Sequence, residues 1–230
     1  MKIKIDFHIH TKEDIENNIH YDAKELIDKA KREGFSAISI TLHNKLLDDE
    51  KIKIYAKKKG ILLIKGIEKT IQGHHVIIQG DITKSVERIN TFQDLKRVKK
   101  KNTLITAPHP FYPNILGHSC LKNKVYEYKD LFDAIEIQQL YTKFYNPNKK
   151  AIRAAKELKK ALIANSDAHT IKSFGKHYTE INVREVTQDE IIRKIKNNET
   201  IIKTKPMSTT QAIKFVLNHI KQKIKEIKKA

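Results

Sequence analysis

The sequence predicts a compact α/β domain built on a mainly parallel sheet, and three observations carry that expectation. Short apolar runs alternate with segments of helical periodicity; the links between them are short; and the 39% hydrophobic content, with only 7 Gly and 5 Pro, argues against disorder. A chain of 230 residues can bury a full core, and no linker or repeat divides it, so residues 1–230 are expected to form one domain.

The first strand is expected over Lys2 to Phe7 and the first helix over Asp22 to Lys31, opened by Asp22 with Glu25 three residues on, a capping box, and ended by Gly34. A second strand follows from Ala37 to Thr41, then a helix from Asp49 to Lys59 that stops at Gly60. Further strands are expected at Ile61 to Lys65, Val76 to Gln79, Thr103 to Ala107, Ala134 to Ile137, Leu162 to Ala164 and Tyr178 to Val183. Helices are expected at Thr91 to Lys101, Ala151 to Lys159 and after Thr187, which with Glu190 has a capping pattern. A C-terminal helical segment is expected over 187–230; within it, Thr209 to Lys229 places Ile213, Val216, Leu217, Ile220, Ile224 and Ile227 on one stripe, an amphipathic helix expected to pack on the body.

The formal charge of +19 would attract phosphorylated ligands and polyanions, so nucleic acid is admitted as a partner. Most of that charge is Lys, however, and a Lys-rich solvated surface explains it equally well. No apolar run could span a bilayer, so neither a membrane nor export is expected. The single cysteine, Cys120, excludes an intrachain disulfide and a thiolate zinc site, and fits a cytoplasmic home.

The 11 histidines matter by position. His8 and His10 follow the first strand; residues two apart in extended chain point the same way, roughly 6.6 Å apart at Cα, so two imidazoles can converge on one ion or on neighbouring ions. Asp167 and His169 repeat that spacing after the strand ending at Ala164. His43, Glu68 and His109 stand at the ends of other strands, and His75 opens one beside His74. Strand-end loops of parallel α/β folds gather on one face, and buried imidazoles and carboxylates need partners that a metal cluster supplies. His20, His118, His177 and His219 are expected at the surface or behind the site.

Asp6-Phe7-His8-Ile9-His10-Thr11, Ile40 to Asn44, Gly66-Ile67-Glu68, Gly73-His74-His75-Val76, Pro108-His109-Pro110 and Ser166-Asp167-Ala168-His169 together resemble the PHP (polymerase and histidinol phosphatase) family, in the family's order, with the metal-site motifs spanning 6–183. The resemblance implies a distorted seven-stranded β/α barrel, TIM-like, that holds two to three divalent ions, commonly zinc, manganese or iron. It implies ligand roles for His8, His10, His43, Glu68, His75, His109, Asp167 and His169. His8, His10, Glu68, Asp167 and His169 would then act in catalysis through a hydroxide bridging the ions of a di- or trinuclear centre. Two departures stand out. Leu42 occupies the place of the family's Asp in Thr-Asp-His, and the Ser-Asp-Gly element is not recognisable, with Asp14 as its stand-in.

The function expected is hydrolysis of phosphate esters, of a small phosphorylated metabolite or nucleotide. The alternatives are a nuclease using the same site, an amidohydrolase, whose usual carboxylated lysine the sequence does not identify, and a non-catalytic RNA-binding barrel of the ribonuclease P subunit type. That last type characteristically lacks the ligands retained here.

Overall fold

A computed structural model describes residues 1–112, 119–213 and 217. Ten strands lie in two five-stranded sheets. The first sheet contains β1 (Lys2–Ile9), β2 (Phe35–Ile40), β3 (Leu62–Leu63), β9 (Tyr178–Asn182) and β10 (Thr200–Lys203), in the order β10-β9-β1-β2-β3. The second runs β4-β5-β6-β7-β8, formed by β4 (Gly66–Ile71), β5 (His74–Gly80), β6 (Thr103–Ala107), β7 (Ala134–Ile137) and β8 (Ala161–Ala164). β1, β2 and β3 are parallel, as are β6, β7 and β8; β4, β5 and β6 pair antiparallel, and so do β1, β9 and β10.

The expected seven-stranded barrel is therefore corrected: the sheets are mixed, and among the described residues no continuous ladder closes them. At one seam β3 is two residues long, and the chain crosses at Gly66 into the other sheet. At the other, β8 meets its neighbours through threonines. Thr179 Oγ1 donates to Ala164 O (2.9 Å), and Thr200 Oγ1 donates to Leu162 O (2.8 Å). Each seam retains one isolated bridge, His43 with Glu68 and Ile9 with Ala168.

Helices cover the outer faces. α1 (Ala23–Arg32) has the anticipated Asp22 and Glu25 capping box, and α2 (Glu50–Lys58) is capped by Asp49. Both pack on the first sheet, burying Leu26, Ile27, Ile52 and Ala56 against Ile38 and Ile40. α3 (Phe92–Val98), α4 (Lys124–Glu127) and α5 (Asn148–Glu157) cover the second sheet. Between the sheets, Ile3, Ile5 and Phe7 meet Leu104, Ala134 and Ile163, with Ile191, Ile192 and Ile195 of α6 (Gln188–Lys196) completing that cluster. Such apolar burial contributes about 25 cal/mol per Å² and holds the sheets together.

Four described elements escaped the sequence pattern: β4, β10, the short helix α4 and a 3-10 helix at Lys84–Arg88. The β4–β5 hairpin turns at Gln72 (φ 49°) and Gly73 (φ 80°), both left-handed, as a two-residue hairpin loop requires. Residues 209–213 are helical, while most of the C-terminal helix expected to Lys229 lies outside the described residues. Among the described residues no helix is long and apolar enough to cross a membrane.

Candidate metal centre

The two seam bridges determine what meets at the end of the parallel strands. The first joins His43 to Glu68 through Asn44 N to Glu68 O (2.9 Å) and Glu68 N to Leu42 O (3.1 Å). The second, with His10 N donating to Ala168 O (3.2 Å), brings the His8 and His10 pair against Asp167 and His169. His75 enters from β5, directly opposite Thr70 of β4, and His109 from the end of β6. All eight sequence-selected residues thus fall into four overlapping groups: His8, His10, Glu68; His8, His109, Asp167; His10, His43, His169; and His43, Glu68, His75. Within each group the ligating atoms lie within 4.8 Å of one another.

Glu68 is the hub. Its Oε2 lies 3.1 Å from His8 Nε2, 3.2 Å from His10 Nε2 and 3.1 Å from His43 Nε2, while Oε1 lies 2.9 Å from His75 Nδ1 and 3.3 Å from His109 Nε2. Asp167 Oδ1 stands 3.3 Å from both His8 Nε2 and His10 Nε2. The cluster is buried, its most exposed members being His169, with a side chain 39% exposed, and His75, at 14%.

A ring of buried polar groups sets the imidazoles from behind. Glu136 Oε1 accepts from His8 Nδ1 (3.0 Å), and also from Asn165 Nδ2 (2.8 Å); its Oε2 accepts from the backbone N of His109 (3.1 Å). Asp14 Oδ2 accepts from Nδ1 of both His10 and His43, each at 2.8 Å. Asp14 therefore belongs to none of the metal-type groups and orients two of their members. Leu42, fully buried, packs into the apolar cluster with Ile9 and Ile40, and Asp14 supplies the carboxylate behind His43 instead.

With the Nδ1 protons of His8 and His10 committed to Glu136 and Asp14, their Nε2 atoms present lone pairs, yet these sit 3.1 Å apart and face the oxygens of Glu68 and Asp167. His75 Nδ1 approaches Glu68 but has no aligned hydrogen bond. Lone pairs facing one another in a buried site need a cation, and bonds of about 2.0–2.1 Å to one ion put neighbouring ligand atoms about 3.0–3.4 Å apart. The donor set fits divalent metal.

Electrostatics of the metal-free cluster agree. Burial alone lowers the pKa of His10, but Asp14, Asp167 and Glu68 carry it up to about 10; burial likewise opposes His109, which Cys120 and Glu68 lift to about 10. Burial raises the Glu68 and Asp167 carboxyls, and the surrounding imidazoles overcome it, holding both well below the usual range. Burial and the charge on His10 push His169 down to about 4. Protons thus stand where cations would.

Backbone strain marks the same place: His109 (φ 30°) and Asp167 (φ 46°) are left-handed without being glycine. Gly66 is required by close approach, because a Cβ there would collide with Ser39 Oγ and come within 2.9 Å of Thr41 Cγ2. His74 turns away to Cys120 O (2.9 Å), and His177 is buried with Thr204 (2.6 Å); His20 is exposed, and His118 and His219 lie outside the described residues. Sequence reasoning missed Glu136, Asn165 and Gln138, whose Nε2 donates to Asp167 Oδ2 (2.6 Å). The available signal was a carboxylate inside the apolar run Ala134–Ile137.

Across 95% of this chain and 70% of its own length, a two-domain protein from Bacteroides vulgatus, containing a predicted PHP-like metal-dependent phosphoesterase, superposes with a TM-score of 0.69 at 19% identity. The chain has the PHP fold. Residues 146–200 match the family model described as PHP-associated. The PHP fold here is also similar to that of a lesion-specific endonuclease from Pyrococcus furiosus (TM-score 0.64, 17% identity, 88% of this chain and 58% of that one). It further resembles endonuclease Q in complex with a 27-mer duplex carrying an abasic lesion (TM-score 0.58, 17% identity, 86% of this chain and 57% of that one). The chain thus spans little more than half of either endonuclease. Comparison with curated proteins gives no sequence match.

Proposed function

We propose that this PHP-fold protein is a metal-dependent phosphoesterase of one domain, with His8, His10, His43, Glu68, His75, His109, Asp167 and His169 holding two or three divalent ions. The observation that carries the reading is the convergence of buried imidazole nitrogens and carboxylate oxygens on one another, with His8, His10 and Asp167 set from behind by Glu136, Asp14 and Gln138. Imidazole mixed with carboxylate suits zinc, manganese or iron better than a purely oxygen-seeking ion. When bound, such ions acidify water and neutralise charge on a phosphoryl group. The chain's own residues do the positioning. Glu136 and Asp14 hold three imidazoles with lone pairs inward, and Gln138 fixes one oxygen of Asp167 so that the other faces His8 and His10. The ester would approach by His169 and His75, the most exposed of the eight.

For substrate, a small phosphorylated metabolite or nucleotide is the first reading. The second is an oligonucleotide phosphodiester, favoured by the charge of +19 and by the fold shared with endonuclease Q. The intact ligand set counts against a non-catalytic RNA-binding role. The test is a turnover screen of phosphomonoesters, phosphodiesters and oligonucleotides with added Mn²⁺ or Zn²⁺. Hydrolysis of at least one class, abolished by His8→Ala and by Asp167→Ala, is expected. Absence of turnover throughout, with metal demonstrably bound, would overturn the reading.

A further inference from the structure

The loop between β7 and α5 carries two adjacent aromatic rings into solvent: Phe144 is 92% and Tyr145 60% exposed. Single exposed apolar residues need no explanation, but two neighbouring rings on a braced turn do. The turn is held by Thr142, whose N donates to Tyr145 O (2.8 Å) and whose Oγ1 accepts from the backbone N of Tyr145 (3.0 Å) and of Phe144 (3.3 Å). Its two ends are tied together, as Asn148 Oδ1 accepts from Gln138 N (3.1 Å) and Asn148 Nδ2 donates to Gln138 O (2.9 Å).

The same loop is anchored to the candidate ligands. Gln138 donates to Asp167 Oδ2 (2.6 Å), and Gln139 Nε2 donates to Ser166 O (2.7 Å). Thr142 is four positions on from Gln138, so the turn begins no more than about 14 Å from the residue touching Asp167. Its charge is one-sided: between Glu136 and Glu157 there is no acidic residue, whereas Lys143, Lys149, Lys150, Arg153 and Lys156 all occur there. Lys143, Lys149 and Lys150 are exposed.

Exposed rings interleaved with lysines are what a single strand of nucleic acid recognises, since every base has a face to stack and every linkage a negative charge. We propose that Lys143, Phe144 and Tyr145 form a stacking platform for unpaired bases, which seats a single strand so that one of its phosphates enters the metal centre. This rests on the phosphoesterase reading and narrows its substrate to a strand-bearing ester.

The test compares two ten-nucleotide phosphorothioate strands, one with bases and one abasic, binding to the full chain in Mn²⁺ by fluorescence anisotropy. The wild type should favour the base-bearing strand, and Phe144→Ala with Tyr145→Ala should cost about tenfold on that strand and leave abasic binding unchanged. Phe144→Trp should retain the preference. Equal affinity for the two strands, no measurable binding of either, or an equal loss on both in the double variant would overturn the platform. Because binding is read without turnover, base preference without hydrolysis of any ester would count against the phosphoesterase reading alone, whereas hydrolysis with indifference to bases would count against the platform alone.

Discussion

Glu68 faces five imidazoles with its two oxygens, three on one and two on the other, so its loss should disturb every neighbouring ion at once. Glu136 acts one step further out, through His8. In Glu136→Gln the acceptor for His8 Nδ1 is weakened and the ring is free to adopt the wrong tautomer, so metal affinity should fall about 10–100-fold, read by competition with a chelator. Unchanged affinity would mean that His8 is oriented by something else. Proton linkage gives a second residue-scale prediction. With His8, His10 and His109 all lifted above the ordinary imidazole range before metal binds, loading at pH 7 should expel protons, and affinity should climb with pH. Calorimetry in buffers of different ionisation enthalpy counts those protons; release of none would contradict the arrangement.

The elements matter because each seam between the sheets carries an isolated backbone bridge, and each bridge sets candidate ligands. Gly66→Ala would force β4 away from Ser39 and Thr41 and should cost about 1–3 kcal/mol in denaturant unfolding, with metal affinity falling alongside because Glu68 moves too. Loss of neither would show that the seam is slack. At this scale much was legible from the chain. The Asp22 and Thr187 caps and the strands at Thr103–Ala107 and Ala134–Ile137 follow local rules of capping and apolar runs. β4 was not legible, since Glu68 and Lys69 interrupt its apolar pattern for the sake of the site. Nor was the failure to close a barrel, because it turns on strand pairings between residues as distant as Lys2 and Asn182, which no local pattern encodes. The eight candidate ligands could be picked out because their types and strand-end positions announce chemistry, and the fold brings them together. Their supporting groups could not: Gln138 and Asn165 look like ordinary loop polar residues, and Glu136 is exceptional only once its strand is known to be buried.

For the whole molecule, stability should depend jointly on metal and pH. In the metal-free protein His10 and His109 have folded pKa values near 10 against about 6.5 unfolded, so their contribution is fully present below pH 6.5 and is lost as pH rises toward 10. Metal removal by chelator should therefore lower Tm more at pH 9 than at pH 7; an equal drop at both would contradict the linkage. The excess of basic charge extends over the molecule and should make any polyanion affinity fall steeply with salt. The central claim is that strand ends from both sheets grip cations in one pocket, and metal analysis of the purified chain after equilibration with Mn²⁺ or Zn²⁺ and desalting tests it most directly. Two to three ions per wild-type chain, and fewer than one in Glu68→Ala, is the predicted result; less than one ion per wild-type chain, or the same content in both proteins, would contradict it.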